Sequence, residues 1–382
     1  MRNRVVITGI GILSALGRGV NITKEALVLG RSGVDKISSF DISRYNTNIG
    51  CEVKEEINGP YDRASQLVIS ASKDAVIDAK LNLSNKSNEI SIYLGTTLGG
   101  MLSGQKFHKE FLLNQNKDKR KLLVKDYSAC SQALHTARVL NLTGETLILN
   151  NACASGLSAI GLAFLRIRMG RQNLVIAGGY DVMSDFTYAG FSSLQLITKD
   201  INRPFDKNRS GLVLGEGVGV LVVEELNHAL NRGANIYAEI IGYGQTTDAY
   251  HLTKPDPEAI GAKNAIVMAI KDAGIAPEDI DYINAHGTGT ISNDLMEAKA
   301  INLALGDYGN KIPISSTKPI IGHTLGASGA LEAIISIIAI NNNFIPANLN
   351  YQTPDPECDL NIAVENIKNK DKRIYILAEG RV

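Results

Sequence analysis

Two stretches of this 382-residue chain repeat each other approximately. Ala154-Ser155-Gly156-Leu157-Ser158-Ala159-Ile160 returns as Ala327-Ser328-Gly329-Ala330-Leu331-Glu332-Ala333-Ile334, and each copy opens an apolar helix. The loop after Leu94, Gly95-Thr96-Thr97-Leu98-Gly99-Gly100, resembles His286-Gly287-Thr288-Gly289-Thr290, which also follows a strand. Two matches in the same order imply a duplicated α/β unit. In a duplicated sheet the equivalent helices meet at a pseudo-twofold axis. That predicts Cys153 beside the turn at 323–329. The expected division is an N-terminal half over 1–235, with an insertion at about 101–130, and a C-terminal half over 236–382.

Hydrophobic periodicity supports this class. Buried strands are expected at 4–11, 90–94, 146–149, 174–179 and 280–285, with one or two more within 211–226. Helices are expected at 64–81, 156–169 and 264–273. Such alternation predicts an α/β fold with a largely parallel interior sheet. Lys+Arg and Asp+Glu both number 39, so no net field draws the surface to nucleic acid or membrane. Cys51, Cys130, Cys153 and Cys358 are scattered without a CxxC pair. That fits a reducing, cytoplasmic setting and gives neither a disulfide framework nor a metal site. The start leads directly into a strand with no signal-like apolar region. The apolar run at 333–340 is too short for a bilayer span. Gly9-x-Gly11 and Gly215-x-Gly217-x-Gly219 imitate nucleotide loops, but Ser14 and a missing Lys-Ser/Thr spoil the patterns.

The chemistry is expected around Cys153. It lies where a strand turns into a helix, and free N–H groups with the helix dipole favour negative charge there. A lowered thiol pKa follows from that placement. Alone, the residue reads equally as a buried small hydrophobe. His286 ends a strand, where α/β sheets carry ligands. His323 and Lys318 share a glycine-flanked loop, and Glu297 lies on the helix after the His286 loop.

Three blocks go further. They are Asn151-Ala152-Cys153-Ala154-Ser155-Gly156, Asn284-Ala285-His286-Gly287-Thr288-Gly289-Thr290-x-x-Asn293-Asp294, and Ser316-Thr317-Lys318-x-x-x-Gly322-His323-x-x-Gly326-Ala327-x-Gly329-Ala330. They resemble the signature blocks of the β-ketoacyl-acyl carrier protein synthases, most closely the synthase II branch. Arg203-Pro204-Phe205-Asp206 and Gly215-Glu216-Gly217 resemble further family landmarks, and the likeness runs from Arg4 to about Leu349.

The resemblance implies a thiolase-like five-layer α-β-α-β-α fold and a decarboxylating Claisen condensation, in fatty-acid or type II polyketide or polyene synthesis. Cys153 would carry the acyl group as a thioester, and His286 and His323 would hydrogen-bond the malonyl thioester oxygen. Lys318 and Glu297 would fix the imidazole tautomers, and Thr288 and Thr290 would hold the phosphopantetheine arm. Arg120 and Lys121, in a basic cluster, would dock the acyl carrier protein. No cofactor is implied beyond the carrier's arm, and the chain would pair as a homodimer or with a related chain-length subunit. A thiolase is disfavoured by the second histidine block and Lys318. A non-catalytic, chain-length-type subunit is the alternative; Cys153 argues against it, and the lack of the family's usual terminal loop argues for it. Relatives usually close with an Asn-x-Phe-Gly-x-Gly-Gly loop that gives an oxyanion N–H and a phenylalanine gate. The run Arg373 to Val382 lacks that pattern. Truncation there, or a site completed by a partner chain, would follow, at about 3 kcal/mol per lost oxyanion donor.

Overall fold

The computed structural model describes residues 2–83, 89–113, 117–251, 253–368 and 376–378, with backbone alone for 117–120, 122 and 376–378. The larger sheet holds β1 (Val5–Ser14), β2 (Ser91–Gly95), β3 (Thr146–Leu149), β4 (Leu174–Asp181) and β5 (Gly217–Glu225), in the order β1-β5-β4-β2-β3. Gly17–Arg18 and β6 (Ala238–Ile240) also pair with β1. The smaller sheet has β7 (Tyr282–Asn284) between β8 (Ile314–Ser315) and β9 (Ile376–Ala378), all parallel.

The larger sheet is mixed, which corrects the expectation of a largely parallel interior. β2 runs parallel to β3 and β4, whereas β5 is antiparallel to both β4 and β1. The run at 211–226 is apolar on both faces, and such a pattern marks burial without marking direction.

Nine helices matter here: α1 (Arg63–Asp78), α2 (Met101–Leu112), α3 (Lys117–Tyr127), α4 (Ser131–Val139), α5 (Ser155–Arg168), α6 (Ile260–Ala273), α7 (Ile291–Leu305), α8 (Lys318–Ile321) and α9 (Ser328–Asn342). α1 and α4 cover the outer face of the larger sheet, where Leu67, Val68, Ala71 and Ala133 pack on Ile92, Val220 and Val222. α6 and α7 cover the smaller sheet through Ile266, Met296 and Ile301 against Ile283 and Ile314. Between the sheets lie α5 and α9, joined through Ile160, Ala163, Phe164, Ile334, Ile335 and Ile338. The five-layer order follows.

The central helices cross closely at their starts. A Cβ on Gly156 would sit 2.7 Å from the Gly326 carbonyl oxygen, and one on Gly329 would sit 2.7 Å from Leu157 Cβ. These are the glycines of the repeated Ala-Ser-Gly motif, so the axis expected from the repeat is present. The segment Leu325–Asn342 is long and apolar enough to cross a bilayer, but 78% of it is buried in the molecule. Its hydrophobicity serves the core. A further trace of duplication escaped the sequence reading. Gly9 and Gly11 admit α1 against β1 as Gly242 and Gly244 admit α6, through Ala71 and Ala75 in one half and Ala265 and Ala269 in the other. The apparent nucleotide motif is therefore a packing device.

Candidate active site

The turn before Cys153 is a strained elbow. Ala152 has φ +53°, a left-handed conformation costly for a side chain with a Cβ. Ser155 holds it: its hydroxyl donates to the Ala152 carbonyl at 2.6 Å and accepts from the Asn151 N–H at 2.9 Å. The other half repeats the elbow at Leu325, with φ +54°. His323 stands just before it, tied to the strand-like stretch preceding β5. Its N–H donates to the Val213 carbonyl at 2.7 Å, and its own carbonyl accepts from Gly215 at 2.9 Å.

The structure brings Cys153, His286 and His323 together. Their sulfur and one nitrogen of each ring lie within 4.8 Å of one another. The imidazoles meet edge to face, with centroids 5.3 Å apart and planes at 84°. Only 4% of His286 and 2% of His323 is exposed. The Leu325 N–H donates to His323 Nδ1 at 3.1 Å, so the proton of the neutral ring sits on Nε2. Burial, aided by the Lys318 ammonium, lowers the His323 pKa to about 3. At neutral pH this ring is an uncharged donor.

Lys318 Nζ lies 3.3 Å from His286 Nδ1 and also donates to the His286 carbonyl and to Glu332 Oε1. The sequence reading paired Lys318 with Glu297 as the groups fixing the tautomers, and here the structure differs. Glu297 accepts the backbone N–H groups of His286 and Gly287 at 2.6 and 2.7 Å, and Asn293 Nδ2 at 3.2 Å. Through these bonds it shapes the loop that carries His286. Glu332, the acid that partners Lys318, went unnoticed, although an acid inside the apolar run of α9 is a legible anomaly.

The profile of the β-ketoacyl synthase N-terminal domain matches residues 2–229, and that of the C-terminal domain matches 237–352. The chain belongs to the β-ketoacyl synthase family. It is 37% identical over 388 residues to 3-oxoacyl-(acyl-carrier-protein) synthase 2 of Synechocystis sp., covering 94% of this chain and 90% of that protein. Among solved structures it is similar to the ishigamide ketosynthase/chain length factor, with 34% identity, a TM-score of 0.94, and coverage of 100% of this chain and 96% of that one. It also resembles a type II polyketide synthase acyl-carrier protein complex with its ketosynthase bound to a hexaketide. That match has 29% identity and a TM-score of 0.89, covering 97% of this chain and 94% of the other.

In this β-ketoacyl synthase the thiol behaves against expectation. Burial pushes Cys153 up to about 12, with Lys318 pulling it down and Asp181 and Glu332 pushing it further up. The turn between the sheets removes more hydration from a thiolate than the helix start restores.

Asp181 also went unnoticed. This buried carboxylate, at the end of β4, accepts from Thr96 Oγ1 at 2.6 Å, from the N–H groups of Thr97 and Leu98 at 2.9 Å each, and from Gly326 at 2.6 Å. Burial raises it to about 6 against the pull of those four donors. It fastens the loop after β2 to the second elbow. An acid closing a fully buried strand was the available signal.

The remaining expected residues divide. Thr288 and Thr290 share the His286 loop, with their hydroxyls 2.8 Å apart, and Asn202 Nδ2 donates to the Thr288 carbonyl at 2.7 Å. Lys121 is exposed on α3, remote in sequence from the elbows. The Arg120 side chain lies outside the described residues, as does the reading of Arg373 to Val382 apart from the backbone of β9.

The neutral His323 gives stability a pH signature. An unfolded imidazole titrates near 6.5, whereas the folded one titrates at about 3. Between those values the unfolded chain binds the extra proton. Stability is therefore intact above the unfolded pKa and falls as the pH drops towards 3, by up to about 1.4 kcal/mol per pH unit. Urea unfolding of His323→Ala between pH 6 and 4 is expected to show a pH slope shallower by that amount. An unchanged slope would mean the ring is not held neutral.

Proposed function

We propose that Cys153, His286 and His323 carry out a decarboxylating condensation of an acyl thioester with malonyl-acyl carrier protein, giving a 3-oxoacyl-acyl carrier protein and carbon dioxide. The observation that carries this reading is the convergence of one sulfur and two buried imidazole nitrogens within 4.8 Å. Cys153 Sγ attacks the first acyl carbon, the carrier's C–S bond breaks, and the thiol proton ends on the departing carrier sulfur. The malonyl C–CO₂ bond then breaks, and its electron pair forms an enolate. Donors from His323 Nε2 and His286 stabilise the enolate oxygen, as in an oxyanion hole. The enolate carbon attacks the Cys153 thioester, the C–S bond to Cys153 breaks, and the sulfur leaves as a thiolate that takes up a proton from solvent.

In this mechanism Lys318 has two functions. Its ammonium lies against His286, and its charge adds to the burial that keeps His323 unprotonated and therefore able to donate. Thr288 and Thr290 line the approach of the phosphopantetheine arm, and Lys121 with Arg120 receives the acidic carrier. No other cofactor is required, and the setting is cytoplasmic, in fatty-acid or polyketide synthesis. The edge strand β3 is half-buried along its length. Exposed Leu134 and Val139 lie on nearby α4, which packs on it. We assign this edge to a partner chain of the same fold, identical or of the chain-length type. The presence of all three converging side chains disfavours a non-catalytic role for this chain itself.

Incubation with an acyl-carrier protein is expected to add the acyl mass to the Cys153 peptide. His323→Ala is expected to retain that adduct while malonyl decarboxylation falls by on the order of 10²–10³. A wild-type protein that gains no adduct, or a His323→Ala variant that decarboxylates normally, would refute the assignment.

A further inference from the structure

A second cluster of ligating groups lies apart from Cys153. A ring nitrogen of His135 and one carboxylate oxygen from each of Asp62 and Asp126 lie within 4.8 Å of one another. They come from three places: the residue preceding α1, the end of α3, and α4. Asp62 caps α1, accepting the Ala64 N–H at 3.1 Å on one oxygen and the Ser65 hydroxyl on the other. Gln132 Nε2 also lies 3.5 and 3.4 Å from these two oxygens, long contacts that leave room for a closer ligand.

The orientation of His135 is the second observation. The residue is 5% exposed, and its ring stacks on Tyr61 at a centroid distance of 4.4 Å. Its Nδ1 lies 2.9 Å from the Ser65 hydroxyl oxygen. Because Ser65 gives its own proton to Asp62, that oxygen accepts from Nδ1–H, which leaves Nε2 with a lone pair. Nε2 faces Asp126 Oδ1 at 3.7 Å, beyond hydrogen-bond distance. A lone pair and two carboxylates pointing into one gap repel each other unless a cation stands between them.

We propose that Asp62, Asp126 and His135 form a divalent-cation site. One imidazole and two carboxylates suit Zn²⁺ or Mn²⁺, with water completing the shell on the half-exposed side of Asp126. The hydrogen bond from Nδ1 to Ser65 is the kind of support that fixes a ligating ring. Bonds of about 2.0–2.2 Å would draw the three groups inward from their present spacing. No CxxC or His-rich motif announces the site, because Asp62 is far in sequence from Asp126 and His135 and the packing of α4 against α1 unites them.

The cation would act as a staple. Asp126 and Tyr127 end α3 against the start of α2. A Cβ on Gly100 would lie 2.7 Å from Tyr127 Cα, and one on Gly104 would lie 2.7 Å from Tyr127 Cε2. Immediately before that contact runs the Thr96–Leu98 loop held by Asp181. The cluster therefore ties the 101–130 insertion to the body of the protein beside the wall of the Cys153 site.

The test uses the full chain carrying Cys153→Ala, since Cys153, His286 and His323 can themselves chelate a metal. Metal-free protein is titrated with Zn²⁺ by calorimetry and with Co²⁺ by its visible absorption. One equivalent should bind with Kd below about 10 μM and raise Tm. Asp126→Asn and His135→Gln, checked for fold by circular dichroism, should each weaken binding at least about tenfold. Absence of a stoichiometric equivalent would overturn the proposal, as would binding undiminished in both variants. So would a Tm that rises on mild acidification but ignores metal, because a proton would then fill the gap.

Discussion

Cys153→Ala is expected to lower condensation by on the order of 10⁴–10⁶-fold while leaving decarboxylation of malonyl-carrier within about tenfold of wild type. The two losses separate because the groups serve different bonds. In the proposed reaction the sulfur holds the acyl group, and the two imidazoles that converge on it serve the malonyl thioester. Removing a thiol leaves both imidazoles in place, since His323 is held through Leu325 and Val213 and His286 through Glu297 and Lys318. Release of labelled carbon dioxide alongside the 3-oxoacyl product measures both steps. If both rates fall together, the histidines depend on the sulfur for their placement, and the division of labour proposed here is wrong.

Lys318→Met should unfold the protein more easily by about 3–5 kcal/mol. Lys318 is 1% exposed, and its ammonium is bonded to Glu332, an acid with 1% exposure. Burial already raises the Glu332 pKa, and Lys318 is the main influence lowering it. Without that cation a carboxylate is left uncompensated between the two sheets. Methionine fills much the same volume, so the loss reports charge rather than a cavity. Adding Glu332→Gln should recover most of the deficit, because the stranded charge goes with it. Urea denaturation of wild type, both singles and the double gives the coupling directly. A single-mutant loss under about 1 kcal/mol would show that the pair adds little.

The repeat carried much of the architecture. Ala154-Ser155-Gly156 and Ala327-Ser328-Gly329 did place the central helices face to face, since small residues at equivalent positions are what a close crossing requires. The three converging side chains were legible from the repeated turns beside which they lie and from the signature blocks that hold them. Strand direction was not legible: β5 is apolar on both faces whichever way it runs. Glu332 and Asp181 were missed because a charged residue in an apolar run has no meaning until its partner is known. Lys318 is 14 residues from Glu332, and the Gly326 N–H is 145 residues from Asp181. The rise in the thiol pKa was not legible because the helix start shows the stabilising dipole and not the desolvation at the turn.

The twin elbows have unequal fates. Aligning the repeats sets Ala152 on Leu325 and Cys153 on Gly326. A Cβ at Gly326 would fall 2.5 Å from the Thr97 nitrogen and 2.8 Å from Asp181 Oδ2. The second corner can offer only its amide, and it has surrendered that to Asp181. Gene duplication thus produced two corners of one shape but left room for a single warhead, and each polypeptide should saturate at one covalent acyl equivalent, never two.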